Sequence, residues 1–156
     1  MSGIANMLAR GVVLLANAAA KLQTLQVSLL DDEKKDGLEH FESYGFTSNP
    51  KPGAEVIAAF LGGDRSHGIV LCAADRRYRI NTLASGEVAI YTDEGDSIVL
   101  HRNNTMTLTT RTLNINATNI ASAGTWAHTG ELTANGKSLP HHVHVDPQGG
   151  NTAQPT

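Results

Sequence analysis

The sequence predicts a mainly β protein with a histidine cluster near its C-terminus, and three observations carry that reading. From residue 22 to about residue 92, short apolar-alternating runs are separated by Gly, Pro and Asn turn signals. Beyond Gly95 the chain sheds nearly all its charge yet keeps an apolar period of two. Near the C-terminus, Pro140-His141-His142-Val143-His144-Val145 gathers histidines at a spacing that suits metal ligation. Composition agrees: aromatics are 4% and charged residues 17%, a thin supply for one globular core, while 15 Gly suit turns.

The first element expected is an amphipathic helix over residues 1–20. Ile4, Leu8, Val12 and Leu15 recur at helical spacing, and the alanines among residues 16–20 have high helix propensity. The run Gly11-Val12-Val13-Leu14-Leu15-Ala16-Asn17-Ala18 resembles a short signal peptide with an Ala-x-Ala site. Asn17 interrupts it, however, and it falls short of the ~20 residues a membrane span needs, so the helix is the better reading. Such a helix has nothing of its own to pack on unless it folds back or docks, which makes it a candidate attachment element.

Short strands are expected next. Leu25, Val27 and Leu29 alternate ahead of the charged turn at residues 31–37, the pattern of a half-buried strand entering a hairpin. Residues 38–44, 55–61, 68–73 and 87–92 continue the series, punctuated by Asn49-Pro50-Lys51-Pro52-Gly53, Gly62-Gly63-Asp64 and Ser85-Gly86. Five short strands in about 70 residues fit a small closed barrel of the OB type, which removes exposed edges by closure. Cys72, the lone cysteine, lies in the apolar run Gly68-Ile69-Val70-Leu71-Cys72 and is expected to be a small buried core residue.

In residues 103–156 the charged side chains are Arg111, Glu131, Lys137 and Asp146. Apolar residues still alternate: Ile98 and Leu100, Met106 and Leu108, then Leu113, Ile115 and Ala117, and later Trp126 to Leu132. The phase shift between Leu108 and Leu113 implies a turn or bulge. These Thr- and Asn-rich strands are too poor in apolar residues to build a core alone. Intertwining identical chains places every inward side chain on a shared axis, with Thr and Asn ladders outside. A monomeric solenoid or an unstable tail is the alternative. Residues 146–156 carry no helix or strand signal and read as a tight cap or a frayed end.

In an extended strand His142 and His144 share a face and His141 takes the other. One chain thus offers two imidazoles, and Asp146 is the acid nearby. Three copies around an axis would offer six nitrogens, which suit an octahedral ion such as iron(II) rather than a tetrahedral structural zinc. The other reading is a solvated His-rich end with no metal. His40, His67, His101 and His128 are scattered and expected to be structural or solvent-facing. A net charge of -3 without clustered Lys and Arg gives no reason to expect nucleic acid.

Three stretches carry a family resemblance: Tyr44-Gly45-Phe46-Thr47-Ser48-Asn49-Pro50 with Gly53-Ala54-Glu55-Val56; Gly62-Gly63-Asp64-Arg65-Ser66-His67-Gly68; and Gly86-Glu87-Val88-Ala89-Ile90-Tyr91. The ending His142-Val143-His144, then Gly149-Gly150-Asn151-Thr152 and Pro155, adds to them. The chain resembles the contractile-tail central spikes of the baseplate assembly protein V family, phage Mu type. The resemblance implies a homotrimer with four parts: a hub-docking helical segment at 1–20, an OB-fold collar at 21–94, an intertwined β-helix shaft at 95–138 and a metal-binding apex at 139–156. It implies one iron ion (Fe2+) per trimer held by His142 and His144 of each chain, and it leaves His141 as a departure from the family's motif. The implied role is mechanical: a spike in a virion or phage-tail-like particle, assembled in the bacterial cytoplasm, that caps the tail tube, meets hub and baseplate proteins and pierces an outer membrane.

Two other function classes account for less. A metal-dependent enzyme needs an open coordination position and a nearby acid or base. A shell of six histidines has no such position, and no Gly-x-Ser-x-Gly, paired carboxylate or phosphate loop is present. A receptor- or carbohydrate-binding tail fibre would share the trimeric shaft but calls for an aromatic-rich tip, and Trp126 is the single Trp.

Overall fold

The computed structural model describes residues 7–153. Ten strands run in chain order: β1 (Leu8–Asn17), β2 (Thr24–Leu29), β3 (Lys34–His40), β4 (Glu55–Phe60), β5 (Gly68–Ala74), β6 (Val88–Tyr91), β7 (Ser97–Leu100), β8 (Met106–Thr109), β9 (Thr133–Ala134) and β10 (Lys137–Ser138). The chain divides into two units, one up to Leu113 and one from Asn114 onward.

In the first unit, β1-β2-β3-β5-β4 form a closed barrel. β4 returns antiparallel to β1, while β3 and β5 pair in parallel. This is the five-stranded Greek-key closure expected of an OB-type barrel, and it leaves no open edge. Val13, Leu25, Val27, Leu29, Leu38, Val56, Ala58, Phe60 and Val70 are buried in its core. One polar pair is buried with them. Gln23 accepts from the His40 ring Nδ1–H at 3.1 Å and donates its amide to the Ser48 carbonyl at 2.9 Å, so the amide's O and N both have partners.

The expected N-terminal helix is instead a barrel strand, and Ile4 of that expectation lies outside the described residues. Along β1, Ala9, Gly11 and Val13 turn inward at period two, and a bulge at Leu14 restores Ala16 to the same side. Leu8, Val12 and Leu15, whose spacing imitates a helix, lie on the outer face at 60%, 39% and 60% exposure. Pairing with β2 and β4 overrides the local helix propensity. Gly11 is required for the close packing, because a Cβ there would meet the Ser28 carbonyl oxygen at 2.7 Å. The barrel therefore begins at β1, not near residue 21.

Two other expectations shift. The strand expected over 38–44 is β3, which runs earlier and ends at His40. Cys72 is exposed, not buried. Opposite Ile57 and Ala58, β5 carries Leu71 as an extra bulged residue; Cys72 is displaced to the outer face and Ala73 packs on the core in its place.

Arg65 forks onto Glu33, joining the β2–β3 and β4–β5 turns, and holds the Glu33 carboxyl below its ordinary range through that hydrogen bond. Glu55 accepts from Arg76 and Arg10, and its carboxyl is likewise depressed, chiefly by Arg76.

The run at 87–92, expected as a barrel strand, forms β6 of a separate three-stranded sheet ordered β6-β7-β8. Lys51, ahead of β4, pairs with Asp93 in the β6–β7 turn and ties this sheet to the barrel. The ladder aligns Val88 with Leu100 and Leu100 with Met106, and Ile90 with Ile98 and Ile98 with Leu108. These six side chains make one all-aliphatic sheet face, each between 38% and 63% exposed.

In the second unit, Asn135 (φ 48°) and Gly136 (φ 72°) supply the left-handed turn that joins β9 to β10. Residues 112–132 contain no strand. Among the described residues, no backbone–backbone hydrogen bond of this chain involves residues 110–131.

Candidate functional site

The His cluster follows β10 in a segment whose backbone is fixed by short-range bonds. Ser138 Oγ accepts from the His141 backbone N–H at 3.0 Å. His142 Nδ1 lies 2.7 Å from the Leu139 carbonyl oxygen; since a carbonyl only accepts, Nδ1 carries the proton and donates, leaving Nε2 with a free lone pair. Metal-ligating histidines are oriented by this type of bond.

The chain then folds into a small hairpin. Val145 and Asn151 form an antiparallel bridge, Asp146 N–H donates to the Gly150 carbonyl at 2.8 Å, and Gly149 N–H donates back to the Asp146 carbonyl at 3.0 Å. Asp146 Oδ1 accepts from the backbone N–H groups of Gln148 and Gly150 at 2.9 and 2.8 Å, so this carboxylate serves the turn.

Within this frame the His142 and His144 rings meet edge to face, their centroids 5.1 Å apart and their planes at 86°. His141 takes a different direction, with its Nε2 3.7 Å from Glu131 Oε2. One chain therefore brings two imidazoles together, too few to close a transition-metal coordination sphere. Among the described residues, no group of three His, Cys, Asp or Glu side chains is placed to hold a metal within one chain. Two nitrogen donors per chain fit a site that copies of the chain share.

The other histidines have separate surroundings. His40 is buried against Gln23. His67 sits with Ser66 and Asp64 in an exposed turn, His101 lies between Thr107 and Glu87, and the His128 ring contacts the Glu131 carbonyl.

A family model described as "Bacteriophage Mu Gp45, N-terminal" matches residues 10–77. The "Baseplate puncturing device gp45" of Escherichia phage Mu is 36% identical over 171 aligned positions, covering 94% of this chain and 87% of that protein. The chain belongs to the phage Mu Gp45 family. The "Mu-like prophage FluMu protein gp45" of Haemophilus influenzae is also 36% identical, over 101 positions that cover 65% of this chain and 55% of that protein. The Gp45 family match begins within β1 and ends just past β5, so it spans the closed barrel, first strand included. The longer alignment to the phage Mu Gp45 protein carries the likeness well beyond the barrel.

Two features of this Gp45 chain were not legible beforehand. Val88 and Ile90 belong to the three-stranded sheet and not to the barrel, and their period two stays in phase with Ile98 and Leu100 across the Thr92–Asp96 turn. The Leu139 carbonyl holds the His142 ring from three residues away, while Thr152 holds the His144 backbone and depends on where the chain turns back.

Proposed function

We propose that this chain is the subunit of a homotrimeric central spike of a contractile tail, in a phage or phage-tail-like particle, that caps the tail tube and is driven through the target cell's outer membrane. The relative in Escherichia phage Mu is named a baseplate puncturing device, and the alignment to it runs along most of both chains.

The observation that carries the reading is the unpaired face and backbone of a single chain. The aliphatic rows Val88–Leu100–Met106 and Ile90–Ile98–Leu108 stand half exposed, and, among the described residues, 110–131 form no strand and have no backbone–backbone partner within the chain. An ordered backbone takes hydrogen-bond partners, and identical copies can supply them. Covering the remaining half of six aliphatic side chains contributes on the order of 5 kcal/mol per copy before association costs. Three copies wound together satisfy both demands and form an intertwined β-helix shaft. That shaft is nearly free of charge, and its use is stiffness; sheath contraction supplies the work.

At the apex, His142 and His144 of each chain would hold one ferrous ion per trimer. When bound, the ion ties three chain ends together at a point. All six nitrogens are spent on the clip, so no open position is left for catalysis, and no catalytic residue is assigned. The hub and baseplate proteins are the partners, with the outer stripe Leu8, Val12 and Leu15 of β1 as the attachment surface in place of a helix. The chain's location is the baseplate tip of the particle, after assembly in the bacterial cytoplasm.

Electron microscopy of tails carrying a C-terminally tagged chain tests the assignment. Label is expected at the distal point of the baseplate, on the tail axis. Label along fibres at the baseplate periphery would contradict it and favour a receptor-binding fibre.

A further inference from the structure

We propose that Thr152 is a positioning residue for the apex metal site, through a two-point hold on His144. The Thr152 Oγ1 hydroxyl accepts from the His144 backbone N–H at 2.9 Å, and the Thr152 N–H donates to the His144 carbonyl at 2.8 Å. Both backbone polar groups of one proposed ligand thus end on one residue. His142 is held differently, by its own ring bond to the Leu139 carbonyl. The two rings have separate anchors, one on each side of the cluster.

The consequence for His144 is orientational. Its ring makes no hydrogen bond to protein among the described residues, so its direction comes from its backbone and from the edge-to-face contact with His142. The backbone direction is fixed by Thr152. The returning strand that brings Thr152 into place is itself closed by Asp146, whose Oδ1 gathers the Gln148 and Gly150 N–H groups. Losing the hydroxyl leaves the hairpin's Asp146–Gly150 bonds in place and frees the N–H side of His144 alone. Supporting groups of this kind typically change metal affinity by about 10–100-fold.

This inference rests on the reading of His142 and His144 as metal ligands, and the test separates the two. Full-length native protein, Thr152→Val and Thr152→Ser are stripped with chelator, reloaded anaerobically with iron(II), and followed as iron passes to a competing chelator. Thr152→Val is close in shape but lacks the acceptor, and should release iron at least about tenfold faster with its molar mass unchanged. Thr152→Ser keeps the hydroxyl and should match the native rate. Native-like release from Thr152→Val overturns the inference and leaves the ligand assignment standing, as does equally fast release from both variants. Failure of the native protein to take up iron overturns the ligand assignment, and the inference with it.

Discussion

His142 and His144 stand edge to face with ring centroids 5.1 Å apart, while the preceding His141 ring lies 3.7 Å from Glu131 Oε2. The backbone achieves this with the chain's own bonds: the Leu139 carbonyl takes the Nδ1 proton of His142, and Thr152 brackets His144. The pair is thus arranged by the chain's own contacts, with the Nε2 lone pair of His142 free.

If these two rings are the ligands, His142→Ala/His144→Ala should reduce bound iron from one ion per three chains to background. His141→Ala should retain it, since that ring faces Glu131. Metal analysis of the purified variants decides this. Both should keep the native molar mass, because the proposed trimer is held by the apolar sheet faces and the intertwined backbone. Iron retained by the double variant, or lost from His141→Ala alone, would mean the ligands lie elsewhere.

Leu100 occupies the middle of the row Val88–Leu100–Met106. Leu100→Glu should dissociate the proposed trimer, since burying an unpaired carboxylate costs several kcal/mol per copy. The barrel does not use this side chain and should keep its fold. Light scattering with circular dichroism checks both points; a native-mass particle at neutral pH would show that this face is not an interface.

Because β1 closes the barrel, removing residues 1–17 should abolish cooperative unfolding of the barrel instead of merely detaching a docking segment. Leu8→Asp/Leu15→Asp alters only the outer face and should leave the unfolding transition close to native, while lowering incorporation into tails. Thermal melts and quantification of the protein in purified particles read the two effects separately.

The barrel should lose stability on acidification. Hydrogen bonds from Arg65 and Arg76 depress the folded-state pKa values of Glu33 and Glu55 respectively. For carboxyls depressed in the folded state, the contribution is fully present above the unfolded value, about 4.3, and is lost as pH falls through the folded value. Melting temperature should therefore be flat near neutrality and fall below about pH 4. Glu33→Gln/Glu55→Gln should show a shallower acid slope, and an unchanged slope would exclude these pairs as its source.

The barrel was legible where side-chain period and strand geometry agree. Leu25, Val27 and Leu29 alternate without interruption and are all buried, whereas the His142 and His144 rings meet in a segment outside any strand, just past a turn. Legibility failed at bulges. The extra residue at Leu14 makes the outer face of β1 repeat as Leu8, Val12, Leu15, which imitates a helical stripe. The extra residue at Leu71 moves Cys72 outward despite its apolar neighbours. A bulge is set by pairing with a distant strand, so neither local propensity nor period announces it. Thr152 belongs to the same class, as a role created by the return of the chain.

Native mass spectrometry of the purified full-length protein distinguishes a trimer clipped by one iron from a free chain. The predicted result is one species with the mass of three chains plus one iron atom, persisting on dilution and reverting to bare trimer after chelation. A dilution-independent monomer that retains the native β signal would contradict the claim.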